Sequence, residues 1–208
     1  MSTASRLVFG FKFAVIVVLS AFVLGGCTGF RAVSDPVDYY LLDQYQAVSP
    51  DMPWEAGARA VHVKRPHLPD YLNSGRIFYR AGDGSPAYTQ RERWGEPIDE
   101  GLARVLAQRL SERAGFRVFS SYPAPPVTRN AYELNLHVMQ FELAGDGQVV
   151  LDVIWRMDRP GQKEGDARRL RLDRAVPADA SIAEIVRTMG SLLDRLAGEI
   201  AAESGGGS

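Results

Sequence analysis

Tyr132-Glu133-Leu134-Asn135-Leu136-His137-Val138-Met139 and, across Gly145-Asp146-Gly147, Val149-Val150-Leu151-Asp152-Val153-Ile154-Trp155-Arg156-Met157 decide the fold of this chain. In the first run Tyr132, Leu134, Leu136 and Val138 alternate with Glu133, Asn135, His137 and Met139. In the second, Val149, Leu151, Val153, Trp155 and Met157 keep the same period. A period of two belongs to a strand, whose successive side chains point to opposite faces. Two such runs joined through a glycine-rich turn make an antiparallel hairpin with one buried face and one mostly polar face.

Towards the C-terminus, a loop over 158–167 leads to a third alternating strand around Leu170, Leu172 and Ala175. Arg168-Arg169-Leu170-Arg171 is the densest basic cluster, and its alternation with leucines reads as the wet face of that strand. Ser181 and Glu184 have capping-box spacing, in which each side chain satisfies a backbone N–H at a helix start. Ile182, Ile185, Met189, Leu192, Leu193, Leu196 and Ile200 then mark the buried stripe of a long helix, and 204–208 is a flexible tail.

Towards the N-terminus, Tyr122–Val127 is a proline-rich connector and Phe116–Ser120 a strand. A helix precedes it. Pro97 opens this helix, where a missing N–H costs nothing; Ile98, Leu102, Val105, Leu106 and Leu110 form its stripe, and Gly115 is its expected stop. Arg76–Arg80 and Ala87–Gln90 flank Gly82-Asp83-Gly84-Ser85 as a second hairpin. Ala60–Val63 and Asp38–Leu42 read as short strands, separated by a loop over 44–57. The sum is an α+β domain over 37–203: a mostly antiparallel sheet with two main helices packed on one face.

The beginning of the chain is of another kind. Arg6 precedes a run from Phe13 to Leu24 that is apolar except for Ser20, and Leu24-Gly25-Gly26-Cys27 ends it. A signal peptide needs a positive start, about 7–15 apolar residues and a small-residue cleavage site. A membrane-spanning helix needs about 20 apolar residues, and extending this run backwards meets Lys12. An uncleaved N-terminal anchor is the alternative. Leu24-Gly25-Gly26-Cys27 resembles the lipobox of bacterial lipoproteins, in which the thiol receives a diacylglycerol before cleavage. Residues 1–26 are then an export signal, Cys27 the lipid-bearing first residue, and 27–36 a tether. Thr28, where sorting rules of enteric bacteria place aspartate for inner-membrane retention, implies the outer membrane, with the domain in the periplasm.

Removing 26 of the 208 residues takes away Arg6 and Lys12 and no acid, which leaves 22 basic residues against 25 acidic ones, a formal charge of −3. No basic block supports a nucleic-acid partner. The single cysteine excludes an intramolecular disulfide, a redox pair or a multi-cysteine zinc site. His62 and His137 sit in strands and His67 lies between prolines, so none has the helical spacing of a metal motif. There is no nucleophile elbow and no phosphate-binding glycine loop. The sequence therefore implies no catalytic residue, no cofactor and no metal.

Three further words carry a resemblance. They are Tyr39-Tyr40-Leu41-Leu42; Val63-Lys64-Arg65-Pro66-His67-Leu68-Pro69-Asp70-Tyr71-Leu72, followed by Ile77-Phe78-Tyr79-Arg80; and Arg93-Trp94-Gly95-Glu96-Pro97 at the helix start. In this order behind a lipobox they resemble the ABC-type transport auxiliary lipoproteins, the PqiC-like family, over nearly the whole mature domain. The resemblance implies a non-catalytic lipoprotein of an intermembrane phospholipid transport system, docking or gating at the outer membrane. It implies an MCE-domain periplasmic protein and its inner-membrane transporter components as partners, the membrane itself through the lipid, and room for a homo-oligomer. A pilot or assembly lipoprotein of another envelope machine, and a periplasmic hydrolase, are the rival readings. Leu68, Tyr71 and Leu72, in a segment stiffened by Pro66 and Pro69, and Trp94 are the candidate partner contacts. The alternative for Leu68 and Leu72 is that they cap the sheet, and for Trp94 that it packs at the base of the helix.

The lipobox reading predicts that Cys27→Ala abolishes lipidation and leaves an unprocessed or soluble species. Mass spectrometry of the mature wild-type N-terminus checks this; an unmodified Cys27 there would refute it.

Overall fold

A computed structural model describes residues 36–42, 59–113, 116–120, 131–159, 161 and 165–205. The expected loop at 44–57, the connector at 122–127 and the helix stop at Gly115 lie outside them.

The hairpin that opened the sequence reading is the centre of the structure. Strand β6 (Tyr132–Leu143) pairs antiparallel with β7 (Gln148–Asp158) along its whole length, and β8 (Arg168–Ala175) pairs antiparallel with β7. The other edge of β6 is shared end to end by two shorter strands. Near its start lies β2 (Arg59–Val63), parallel from Val61↔Tyr132 to Val63↔Leu134. Near its end lies β3 (Arg76–Arg80), through Tyr79↔Leu143. Each carries a wing outward: β5 (Phe116–Ser120) runs parallel to β2, β4 (Pro86–Trp94) antiparallel to β3, and β1 (Asp38–Tyr40) parallel to β4. The result is one eight-stranded sheet of mixed pairing whose longest ladders are antiparallel.

Helices α1 (Ile98–Ser111) and α2 (Ile182–Gly205) pack against each other and against this sheet. The expected stripes face inward: Leu102, Val105, Leu106 and Leu110 from α1, and Met189, Leu192, Leu193, Leu196 and Ile200 from α2. The capping box forms as spaced. The Ser181 N–H donates to Glu184 Oε2 at 2.8 Å and the Glu184 N–H to Ser181 Oγ at 3.3 Å. Pro97 precedes α1 in an extended conformation, which the helix then leaves.

Two features depart from a simple alternation. The register of β6 against β7 shifts between Val138 and Gln140, so Met139 is an extra residue, exposed, and Phe141 rather than Gln140 returns to the core. A bulge of this kind adds one unpaired residue and swaps the faces beyond it. In addition, the polar face of the hairpin is partly covered. Val150, Asp152 and Asp158 on β7 and Glu142 on β6 are buried there, although the sequence suggested a solvated face. The three acids are paired with arginines on β3, β7 and β8, whose stems can cover surface while their charged heads stay wet.

Helix α2 also approaches the end of the first word closely. A Cβ added at Gly190 would stand 2.7 Å from the Leu42 carbonyl oxygen. Glycine in a helix interior costs about 1 kcal/mol relative to alanine, so Gly190→Ala would stabilise an isolated helix. Here it should destabilise the protein, because helix and backbone must separate. A urea denaturation midpoint below wild type is expected; a midpoint above it would show that the approach is not tight.

Candidate functional site

The three sequence words meet at one corner of the domain. Strand β1 lies beside the end of β4, with Tyr39 in register with Arg93 and Tyr40 with Trp94. The chain then turns at Gly95, whose N–H donates to the Tyr40 carbonyl at 2.8 Å; a Cβ there would come within 3.1 Å of Leu41 Cδ2. The Trp94 N–H donates to the Gly75 carbonyl at 2.9 Å, which ties the third word to the end of the second. Arg65 of the second word pairs with Asp99 and, at 3.3 Å, with Glu100 in the first turn of α1. Arg104 reaches back to Glu96 at 2.5 Å. Arg65, Asn73, Trp94, Glu96 and Asp99 line a shallow cleft of about 530 Å³ at this junction.

Within this corner the four candidate contact residues divide. Leu68, Leu72 and Trp94 are buried in the core cluster, so they offer a partner little surface. The segment that carries them is more ordered than a loop. His67 bridges to His137 in a short parallel extension of β2, and Asp70–Ser74 forms a 3-10 helix. Only Tyr71 is half-exposed. Its ring sits 4.5 Å from Phe78, which meets Tyr88 edge-on at 5.3 Å, and the Tyr88 hydroxyl donates to the Tyr71 carbonyl at 3.0 Å. Arg80 lies over the Phe78 ring at 5.6 Å. Burial, followed by the neighbouring Glu142 carboxylate, pushes the Tyr71 hydroxyl above its ordinary range. Cys27 lies outside the described residues.

Sequence reading missed the buried acids on this face. Glu142, fully buried, accepts from Arg80 Nε at 2.6 Å. Asp152 accepts from Arg169 Nε at 3.0 Å and Nη2 at 2.7 Å, with Arg171 at 3.5 Å. Asp158 meets Arg156 at 2.7 Å and Asn135 at 2.9 Å. Their only trace in the sequence is an acid between apolar neighbours within a strand, as in Phe141-Glu142-Leu143 or Leu151-Asp152-Val153. A buried carboxylate must be paired, and each of these is. Ion pairing of this sort organises a sheet face.

The histidines are placed in pairs of rings. His67 stacks on His137 at 5.2 Å between centroids, and His62 on Phe119 at 5.4 Å. Burial and the neighbouring Lys64 push His62 below its ordinary pKa, which favours the neutral ring. Among the described residues no group of three or more His, Cys, Asp or Glu side chains could hold a metal ion. Among them also, no helix is long and apolar enough to cross a membrane.

Comparison with known proteins bears on this geometry. Residues 39–201, from the first word to the last turns of α2, match the family described as the ABC-type transport auxiliary lipoprotein component. Intermembrane transport lipoprotein PqiC of Escherichia coli (strain K12) is 26% identical over 188 residues, which cover 90% of this chain and 95% of that protein. The Shigella flexneri protein of the same name gives the same figures. A crystal structure of an uncharacterized protein superposes with a TM-score of 0.65 at 24% identity, covering 81% of this chain and 99% of its own. One from Xanthomonas campestris superposes at 0.60 and 16% identity, covering 78% and 91%. These two likenesses concern the fold.

The Asp152 pairs carry a pH signature. Arg169, and after it Arg171, hold the Asp152 carboxyl below its ordinary value against the opposing effect of burial. A carboxyl lowered on folding contributes stability above its unfolded pKa, about 3.9, and loses it as pH falls through the folded value. Asp152→Asn should therefore melt lower than wild type at pH 7 and lose less of its melting temperature between about pH 5 and 3. Parallel melting curves for the two proteins over that range would refute the assignment.

Proposed function

This chain belongs to the ABC-type transport auxiliary lipoproteins, and from that membership we propose that it is the lipid-anchored, non-catalytic accessory of an intermembrane phospholipid transport system. In this reading residues 1–26 are the export signal, Cys27 carries the lipid, 27–36 form the tether, 37–203 the periplasmic domain and 204–208 a flexible tail. The anchor lies in the outer membrane. The domain docks or gates there with an MCE-domain periplasmic protein, which in turn meets inner-membrane transporter components.

The observation that carries the reading is the meeting of the three words at the corner where the tether enters the domain. Strand β1 begins at Asp38, eleven positions after Cys27, and is pinned at once to β4, to Gly95 and to α2. The words that carry the family resemblance thus sit where the chain enters the domain, as suits a protein held by its N-terminus. The name of the curated relatives, intermembrane transport lipoprotein, accords with it.

The test is association of the mature protein with the periplasmic part of an MCE-domain protein encoded beside it. Binding at tens of micromolar or tighter is expected, an order-of-magnitude bound for a weak complex; no association in lipid or in solution would overturn the role. Tyr71→Ala, measured for both melting and binding, sorts the half-exposed ring. Its stacking on Phe78 predicts a loss of about 2 kcal/mol of stability. A fivefold or greater rise in Kd at unchanged melting would mark Tyr71 as a contact residue instead.

A further inference from the structure

Large apolar side chains are exposed at four places among the described residues, and three of them fall within five residues: Val37, Tyr39 and Leu41, with Tyr39 70% exposed. Isolated exposed apolar residues are ordinary, but a cluster is not. The three alternate along the chain, Tyr39 in the middle of β1 and Val37 and Leu41 just beyond its two ends. Tyr40 and Leu42, between and after them, turn to the core. Register extends the row from Tyr39 to Arg93 on β4 and from Arg93 to Arg76 on β3, so two cations continue the apolar strip across the sheet. Asp38 and Glu92 are paired at the alternate positions. Among the described residues β1 has β4 as its one partner and stands at the sheet edge.

We propose that the Val37-Tyr39-Leu41 strip, with Arg93 and Arg76 behind it, rests on the surface of the lipid bilayer, the arginines taking phospholipid headgroup phosphates. This rests on the reading of Cys27 as the lipid-bearing residue. Val37 lies ten positions after Cys27, and an extended chain of that length reaches at most about 36 Å. The strip is thus the part of the domain nearest to Cys27 in chain order. A tyrosine between aliphatic residues, with arginines on its polar side, suits the water–lipid boundary, where amphipathic rings and basic groups gather. The opposite end of the same wing is polar. The turn at Gly82-Asp83-Gly84-Ser85 stands at the far end of β4, whose nine residues at about 3.3 Å each put roughly 25 Å between the two ends. A Cβ added at Gly145 would stand 2.5 Å from the Ala81 carbonyl, so the β6–β7 turn lies at that distal end as well.

The chain has one cysteine, and the anchor would consume its thiol, so an introduced cysteine is a unique labelling site. Tyr39→Cys, Val37→Cys and, as the distal control, Ser85→Cys would be made in the full acylated protein. Each would be labelled with an environment-sensitive fluorophore and reconstituted into phosphatidylethanolamine and phosphatidylglycerol vesicles. The proposal predicts blue-shifted emission at positions 39 and 37, and quenching by lipids spin-labelled near the headgroup several-fold stronger there than at position 85. Equal, weak quenching at all three sites in protein that sediments with the vesicles would overturn this inference and leave the anchor standing. Protein with an unmodified Cys27 that stays in the supernatant would overturn both. A blue shift without lipid quenching that disappears on dilution with unlabelled protein would assign the strip to a second copy of the chain, which also overturns it.

Discussion

The architecture depends on the length of one strand. Strand β6 pairs with β7 along one edge and presents the other edge to two strands at once, β2 near its start and β3 near its end. Two short parallel strands cannot lie end to end without a connection that leaves one and enters the other in the same direction. The 3-10 helix Asp70–Ser74, opened by Pro69 and closed by Gly75 in the left-handed conformation at φ 69°, makes that connection. Leu68 and Leu72 of this connection are buried in the core cluster. The segment therefore spends its apolar side chains on joining two wings of a sheet. Its prolines stiffen a structural joint as readily as they would a docking loop.

Burial on both sides of the central hairpin follows from the same arrangement. Helices cover one face; on the other, Arg80, Arg156 and Arg169 pair with the buried carboxylates. Removing a charge from water costs several kcal/mol, and pairing returns that cost only when the hydrogen bonds are good. The solution throughout is asymmetric. Glu142 and Asp152 are almost wholly buried, whereas their partners Arg80 and Arg169 remain 35% and 65% exposed in the side chain. Guanidinium groups suit this position because they are weakly hydrated and can bond in a fork. The acid sensitivity expected of Asp152 thus comes from its pairing with Arg169 and Arg171.

Much of this was legible in the sequence, for physical reasons that differ between elements. The hairpin, the hydrophobic stripes of both helices and the Ser181–Glu184 box are local periodic patterns, and periodicity survives without knowledge of neighbours. The extra residue at Met139 was not legible, because a bulge depends on the partner strand and the sequence shows only a change of phase. Nor were the buried acids, since an aspartate in a strand reads as an outward residue until its covering arginines are known. Strand β4 runs on to Trp94 rather than ending near Gln90, because β1 supplies a second partner there from some fifty residues upstream. The three words stand in the sequence as a resemblance only; their physical basis, a junction of strand, turn and helix start, is non-local.

If β6 is the shared hub, the two wings should be separable from it but it should not be separable from them. Native-state hydrogen exchange reads this directly, because amides that exchange only on global unfolding lie in the last structure to open. The expected result is greatest protection along β6 and β7, with Leu134, Leu136 and Val138 among the slowest amides. The wings, β2 with β5 and β1 with β4 and β3, should exchange through smaller openings. Faster exchange in β6 than in either wing would contradict the account, since the wings would then hold together without the strand that is taken to join them.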